Sequence, residues 1–366
     1  MLSHETRRLS PIVGTVLALC GTACGSSVDL APGPQLSVSS DPNVLGVINE
    51  QVAQLVVDDE RVYWIGVGSG YSLRSCKKDN CIGSLVSYAN DGVMQSTGFT
   101  VVQGQVYWIA TDATLRNCAS PGCGSEARSV ATGLNSDPRS LSYIYGAFSS
   151  DTVYLTADFE IVAVPLGDAQ ARPRHLHPVE NPVLSMAVDG DYLYALTAFS
   201  ATAPSGTIQR IRTDGTEPVQ VLAANLRVVA IEGLVHRYLA IHSNDVFWPE
   251  GTLYGAVAHC PTTGCTGSEE LLVEPVRSPT SLLSDGANIY WQHATVSQGF
   301  AISGCSIADC VASAPLAVGL DPYTEAAADD RYLYAATAEQ DSDYDMTTTN
   351  PYASIRRIAK IMERSP

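Results

Sequence analysis

Positive charge is scarce in this chain of 366 residues: Lys and Arg number 21 against 38 Asp and Glu, a formal net charge of −17. Such a field repels phosphate backbones and anionic headgroups, so nucleic acid is not an expected partner. Charged residues of either sign make up only 16% of the chain while hydrophobic ones reach 45%, a balance that excludes disorder. Beyond the N-terminal region no apolar run is long enough to be a transmembrane helix. Nucleophile elbow, phosphate loop, zinc-protease helix and dinucleotide fingerprint are all missing, so the sequence names no catalytic residue and no cofactor. Histidine is also sparse, at seven. His175 and His177 flank Leu176 and alternation puts them on one face of a strand, whereas His236, His242, His259 and His293 have no neighbours that suggest a triad.

What the chain has is repetition. A short turn, often acidic, leads into a hydrophobic residue, an aromatic and often a Trp, as in Asp58-Asp59-Glu60-Arg61-Val62-Tyr63-Trp64 and Asp285-Gly286-Ala287-Asn288-Ile289-Tyr290-Trp291. The key aromatics are Tyr63, Tyr107, Tyr154, Tyr194, Phe247, Tyr290 and Tyr334, a period of roughly 45 residues that matches one four-stranded propeller blade. The expected fold is therefore all-β, a seven-bladed β-propeller spanning 34–366. In the second repeat the strands read from the axis outward as 97–102, 105–110, 114–117 and 127–132, which makes the aromatic phrase the second strand. The four Trp (64, 108, 248 and 291) all fall there and are expected to fill the wedges between sheets. The last repeat runs out of chain after 353–361. The stretch 34–42, which ends in Asp-Pro like 314–322, is expected to pair there and close the ring.

Eight of the ten cysteines form four pairs of one spacing: Cys76 with Cys81, Cys118 with Cys123, Cys260 with Cys265, and Cys305 with Cys310. An even count at one repeated spacing in an exported chain reads as local disulfides. Zinc would need four ligands where each pair offers two, and thioredoxin-like chemistry uses a two-residue gap at a helix N-terminus. Where two of the other repeats lack the pair, ordinary turn chemistry stands in its place, notably Thr213-Asp214-Gly215. Near the C-terminus, Glu339, Asp341, Asp343 and Asp345 alternate like the start of a calcium loop. Met346 stands where such a loop needs Gly, so the competing reading is a flexible acidic loop.

The N-terminus reads as an export signal over 1–23. Arg7 and Arg8 supply the positive region, 11–19 an apolar region too short to span a bilayer, and Gly21-Thr22-Ala23-Cys24 the small residues before a modified cysteine. Cys20 follows Leu19, a poor residue before a cleavage, so Cys24 is the expected lipidation site. The Arg pair also fits a twin-arginine route imperfectly, and an uncleaved helix is the structural alternative. The small, polar, Pro-containing stretch 24–33 is the composition of a flexible tether.

Taken with the Val-Tyr-Trp phrases and the strands ending in Pro-Leu-Gly or a cysteine pair, the chain resembles the secreted propeller-repeat lipoproteins of myxobacteria. That resemblance implies a lipid-anchored (palmitate-bearing) protein of the bacterial outer membrane or cell surface, and it carries no assigned reaction. The function expected is a monomeric binding or scaffolding module, touching the membrane through its lipid and a protein or glycan ligand through one face. A propeller lyase or hydrolase with an axial site and a structural envelope component are the alternatives. Because thioether acylation needs the sulfur of Cys24, Cys24→Ser yields an unacylated protein: metabolic labelling with a fatty acid marks the wild type only, and labelling that persists in the variant contradicts the assignment.

Overall fold

The computed structural model describes residues 36–37, 41–338 and 353–360, apart from 49, 69, 91, 94–97, 124–126, 133, 135–145, 158–159, 168–171, 199–205, 229–236, 252–253, 266–268, 297–298, 311–314 and 322–324. The signal and tether (1–33), Cys24, His236 and the acidic residues Glu339, Asp341, Asp343 and Asp345 lie outside the described residues.

Five antiparallel four-stranded sheets follow one another along the chain, each read from the inside outward in sequence order. The first is Gln51–Val57, Arg61–Val67, Tyr71–Lys77 and Val86–Ala89; the second is Phe99–Val102, Gln105–Ile109, Leu115–Ala119 and Arg128–Ala131. The third, fourth and fifth begin on Gly146–Phe148, Val183–Asp189 and Ala240–His242 and end on Arg174–Pro178, Gln220–Leu226 and Glu270–Val276. The fold is an all-β propeller of four-stranded blades, with the aromatic phrase as second strand.

The blade count is corrected from seven to five. Leu320 pairs with Thr337, which joins strands of the last two repeats into one nine-stranded sheet. That sheet runs from Ser281–Ser284 through Asn288–Ala294, Phe300–Ser306 and Ala317–Leu320 to Tyr332–Ala338, with Ala327–Ala328 paired to Tyr332–Ala338, and continues through Ala353–Ala359 and Val44–Ile48 to Leu36–Ser37. The closing strand at 34–42 is corrected as well. Val44–Ile48 lies against Ala353–Ala359, while Leu36–Ser37 pairs only with Val44–Ile48, so ring closure through 34–42 is not shown. The physical reason is local: Asp41 caps a turn, accepting from Asn43 and Val44 N–H, and the apolar stretch after it supplies the fully buried Ile48.

Alternate side chains of each second strand face opposite neighbours, as the two-residue period requires. Tyr63 and Ile65 pack with Phe99, Val106 and Trp108, while Val62 and Trp64 pack with Tyr334 and Ile355. All four Trp are core residues, none more than 3% exposed. The four expected disulfides are present, with Cα–Cα separations of 4.6, 5.1, 5.3 and 5.0 Å. In the fourth sheet the same place is taken by a turn in which Gly215 (φ +73°) follows Asp214, whose carboxylate accepts the Thr216 N–H. Such links fit an extracellular or periplasmic location. Among the described residues no helix is long and apolar enough to cross a membrane.

The acidic turns have a structural use. Asp58 Oδ1 accepts the N–H groups of Glu60 and Arg61, and the Tyr63 hydroxyl, five residues on, donates to Oδ2 at 2.6 Å. Asp285 does the same with Ala287, Asn288 and Tyr290, and Asp329 with Arg331, Tyr332 and Tyr334. Each clasp then takes a polar partner from another sequence repeat: Ser120 bonds the Tyr63 hydroxyl at 3.0 Å, Lys360 reaches Asp285 at 2.8 Å, and Lys78 reaches Asp329. The chain contains just three lysines, 77, 78 and 360, and two of them are placed here.

Burial on its own would raise the Asp285 carboxyl, but Lys360, the Asn288 N–H and the Tyr290 hydroxyl outweigh it and hold it at about 2, below its ordinary 3.8. Asp329 is held lower still against the same burial cost, by Lys78, Tyr334 and two backbone N–H groups. Carboxyls lowered in the fold bind fewer protons than in the unfolded chain, so their contribution is present above pH 3.8 and is lost as the pH falls through 2. Asp285→Asn is expected to cost about 2 kcal/mol at pH 7 and to flatten the acid limb of the stability profile. Urea unfolding of both proteins at pH 7 and pH 3 checks this, since a gap unchanged between the two pH values contradicts the assignment.

Candidate functional site

Innermost strands of the propeller face an axial cavity of about 460 Å³. Apolar side chains reach it from six inner strands, with Val57, Val101, Phe148, Met186, Ile241 and Leu283 each coming from a different one, and polar and apolar atoms share the exposed wall about equally. Its polar lining includes Thr100, Ser185 and Ser284 together with Gln54, Arg237 and Glu325.

Gln54, Arg237 and Glu325 form one network. In the first sheet the register shifts between Val52 and Gln54, leaving Ala53 as the extra residue of a bulge. The freed Ala53 carbonyl accepts the Glu325 N–H at 3.3 Å. Gln54 then accepts the Phe99 N–H at 3.1 Å and donates its own amide N–H to Glu325 Oε2 at 3.4 Å. Gly98 permits this crossing, because a Cβ there would lie 2.9 Å from the Gln54 amide nitrogen, and its φ of +70° disfavours other residues. From the far side Arg237 brings Nε to 3.3 Å from the same Oε2, while the Arg237 carbonyl is held by the Leu282 N–H at 2.8 Å.

Burial differs sharply within the network. The Glu325 side chain is 0% exposed and that of Arg237 is 37% exposed. Among the described residues Glu325 Oε1 is buried without a hydrogen-bond partner, a costly arrangement for a charged carboxylate. Desolvation pushes the Glu325 carboxyl up to about 7, with Arg237 and Gln54 pulling the other way. The site thus holds a carboxyl raised toward neutral pH beside the Arg237 guanidinium.

A larger cleft, about 970 Å³, opens between the turns at Asp285 and Asp329. Its Asp285, Asp329 and Lys360 are already committed to the clasps described above. The histidines singled out in the sequence are not brought together: His175 pairs with Glu160, His259 stacks on Phe247 at 5.4 Å, and His293 Nε2 lies 2.9 Å from Ser303 Oγ. Among the described residues no group of three or more His, Cys, Asp or Glu is placed to hold a metal ion. Gln54, Arg237 and Glu325 were not legible as a site in the sequence. The usable signal was a polar residue inside an apolar inner strand, Gln54 in Val52-Ala53-Gln54-Leu55-Val56, and Glu325 at the head of Ala326-Ala327-Ala328.

No family model matches the chain, and no curated protein matches it. Similar solved structures include an oligogalacturonate lyase in complex with manganese, 8% identical over 89% of this chain and 97% of that one, with a TM-score of 0.61. The oligogalacturonate lyase of Vibrio parahaemolyticus is 10% identical over 88% and 96%, with a TM-score of 0.58. A chain of the mitotic checkpoint complex is 14% identical over 95% and 99%, also with a TM-score of 0.58. Likeness at such identities shows the propeller fold alone.

A carboxyl raised in the fold gives stability that is full below its ordinary value of 4.5 and is lost as the pH rises through 7. Relative to Glu325→Gln, the wild type is therefore expected to lose on the order of 3 kcal/mol between pH 4.5 and pH 8. Urea melts of both proteins across that range measure the difference, and parallel curves contradict the placement of Glu325.

Proposed function

We propose that this chain is a monomeric, exported binding module, tethered to the outer membrane or cell surface by a lipid on Cys24, that holds its ligand in the axial cavity. The observation that carries this reading is the cavity: about 460 Å³, with apolar side chains from six inner strands and polar groups beside them, which is within the size range of small-ligand sites. The myxobacterial lipoprotein type belongs to the same proposal and is supported by the N-terminal pattern, the Val-Tyr-Trp phrases and the paired cysteines. A protein or glycan partner would present one small group to this cavity.

Glu325 favours a second reading, a lyase or hydrolase that uses the axial carboxyl, because a group near 7 is suited to proton transfer. Its complete burial argues for binding first, since no reacting atom reaches it in the present arrangement.

The apolar fluorophore N-phenyl-1-naphthylamine tests the cavity. With the full chain carrying Cys24→Ser to keep it free of detergent, the dye is expected to bind one to one. Binding is lost in Ala187→Trp, which fills the cavity from a half-buried wall position, and kept in Tyr254→Ala, at an exposed surface residue. Dye binding that survives Ala187→Trp contradicts the axial reading.

A further inference from the structure

Arg237 narrows what the cavity takes. Its Nε lies 3.3 Å from Glu325 Oε2, and Glu325 is itself fixed by Gln54 and by the Ala53 carbonyl, so the guanidinium is ion-paired along one edge. Its Nη1 and Nη2 have no partner among the described residues, and more than a third of the side chain is exposed where it lines the cavity. A guanidinium held in this way offers a planar fork that matches a carboxylate. We infer that the axial cavity takes a small monocarboxylate with an apolar body, its carboxylate on the Nη groups of Arg237 and its body along the inner-strand wall. This rests on the axial reading above.

Three observations support that assignment over a neutral or cationic ligand. Glu325, the only acidic group of the cavity lining among the described residues, is 0% exposed and offers no surface on which an ammonium could sit. Its Oε1 is buried without a hydrogen-bond partner among the described residues, so the carboxyl stays within the network and only Arg237 of the pair reaches the cavity surface. Each of six inner strands gives the wall an apolar side chain, and a four-residue inner strand such as Ser281–Ser284 spans about 13 Å, room for an extended chain of about ten carbons. Glu325 and Gln54 act here as positioning residues, while Arg237 touches the ligand.

Competition against the bound dye tests the inference, with decanoate, decanol and decylamine as probes on the full chain carrying Cys24→Ser. Decanoate is expected to displace the dye at roughly one-tenth the concentration of decanol or less, the worth of a charge-assisted contact. Arg237→Met, which keeps the apolar stem, abolishes that preference, and Glu325→Gln retains it because Arg237 stays fixed through its carbonyl to the Leu282 N–H and keeps its guanidinium for the ligand. Equal displacement by decanoate and decanol, or a preference that persists in Arg237→Met, overturns the carboxylate inference while leaving the cavity a binding site. Absence of dye binding in the wild type overturns the axial reading itself, and stronger displacement by decylamine assigns the site to cations.

Discussion

At Asp58, Asp285 and Asp329 a turn carboxylate and the tyrosine it accepts from form a clasp that holds its own hairpin and meets another repeat, and the rest of the structure depends on those paired contacts. Oδ1 of Asp58, Asp285 and Asp329 fixes the turn before the second strand, and Oδ2 takes a tyrosine hydroxyl from that strand. A further donor arrives from elsewhere in the chain, Lys360 to Asp285 and Lys78 to Asp329, while Ser120 meets Tyr63. Lys78 and Ser120 each stand two residues after the first cysteine of a disulfide pair. The disulfide-closed hairpin therefore presents the residue that engages the neighbouring clasp. Variation on the theme is tolerated: Ser149 caps its turn with a hydroxyl, and Tyr107 donates to the Leu166 carbonyl at 3.5 Å. An acidic chain with three lysines is the compositional trace of this device.

Strand content and order were legible because the period of two and the turn residues speak locally. In the second repeat the reading of 97–102, 105–110, 114–117 and 127–132 meets strands at Phe99–Val102, Gln105–Ile109, Leu115–Ala119 and Arg128–Ala131. The disulfides were legible because an even count at one repeated spacing, in a chain whose N-terminus reads as an export signal, points to local pairing across a six-residue loop. Sheet boundaries were not, since the Leu320–Thr337 pairing is a contact between repeats that no local pattern announces. The N-terminal strand was misplaced because Asp41-Pro42 was read as the end of a strand when it begins the turn into Val44–Ile48.

The axial site was illegible for a related reason. Gln54, Arg237 and Glu325 come from distant parts of the chain, and the bulge at Ala53 that joins Gln54 to Glu325 depends on pairing geometry. Burial then gives each its character: the fully buried Glu325 carboxyl is pushed up by desolvation, whereas Arg237 is more than a third exposed. A lone polar residue in an apolar inner strand is the pattern worth seeking in other propeller sequences.

Met186 offers the most direct test of axial binding. The chain has five methionines, and Met186 alone lies among the described residues, on the cavity wall. With methionine methyl groups labelled with carbon-13, titration with decanoate is predicted to shift the Met186 resonance saturably while the other methyl signals stay in place. A Met186 signal that does not move, or movement confined to the other methyls, would contradict an axial binding site.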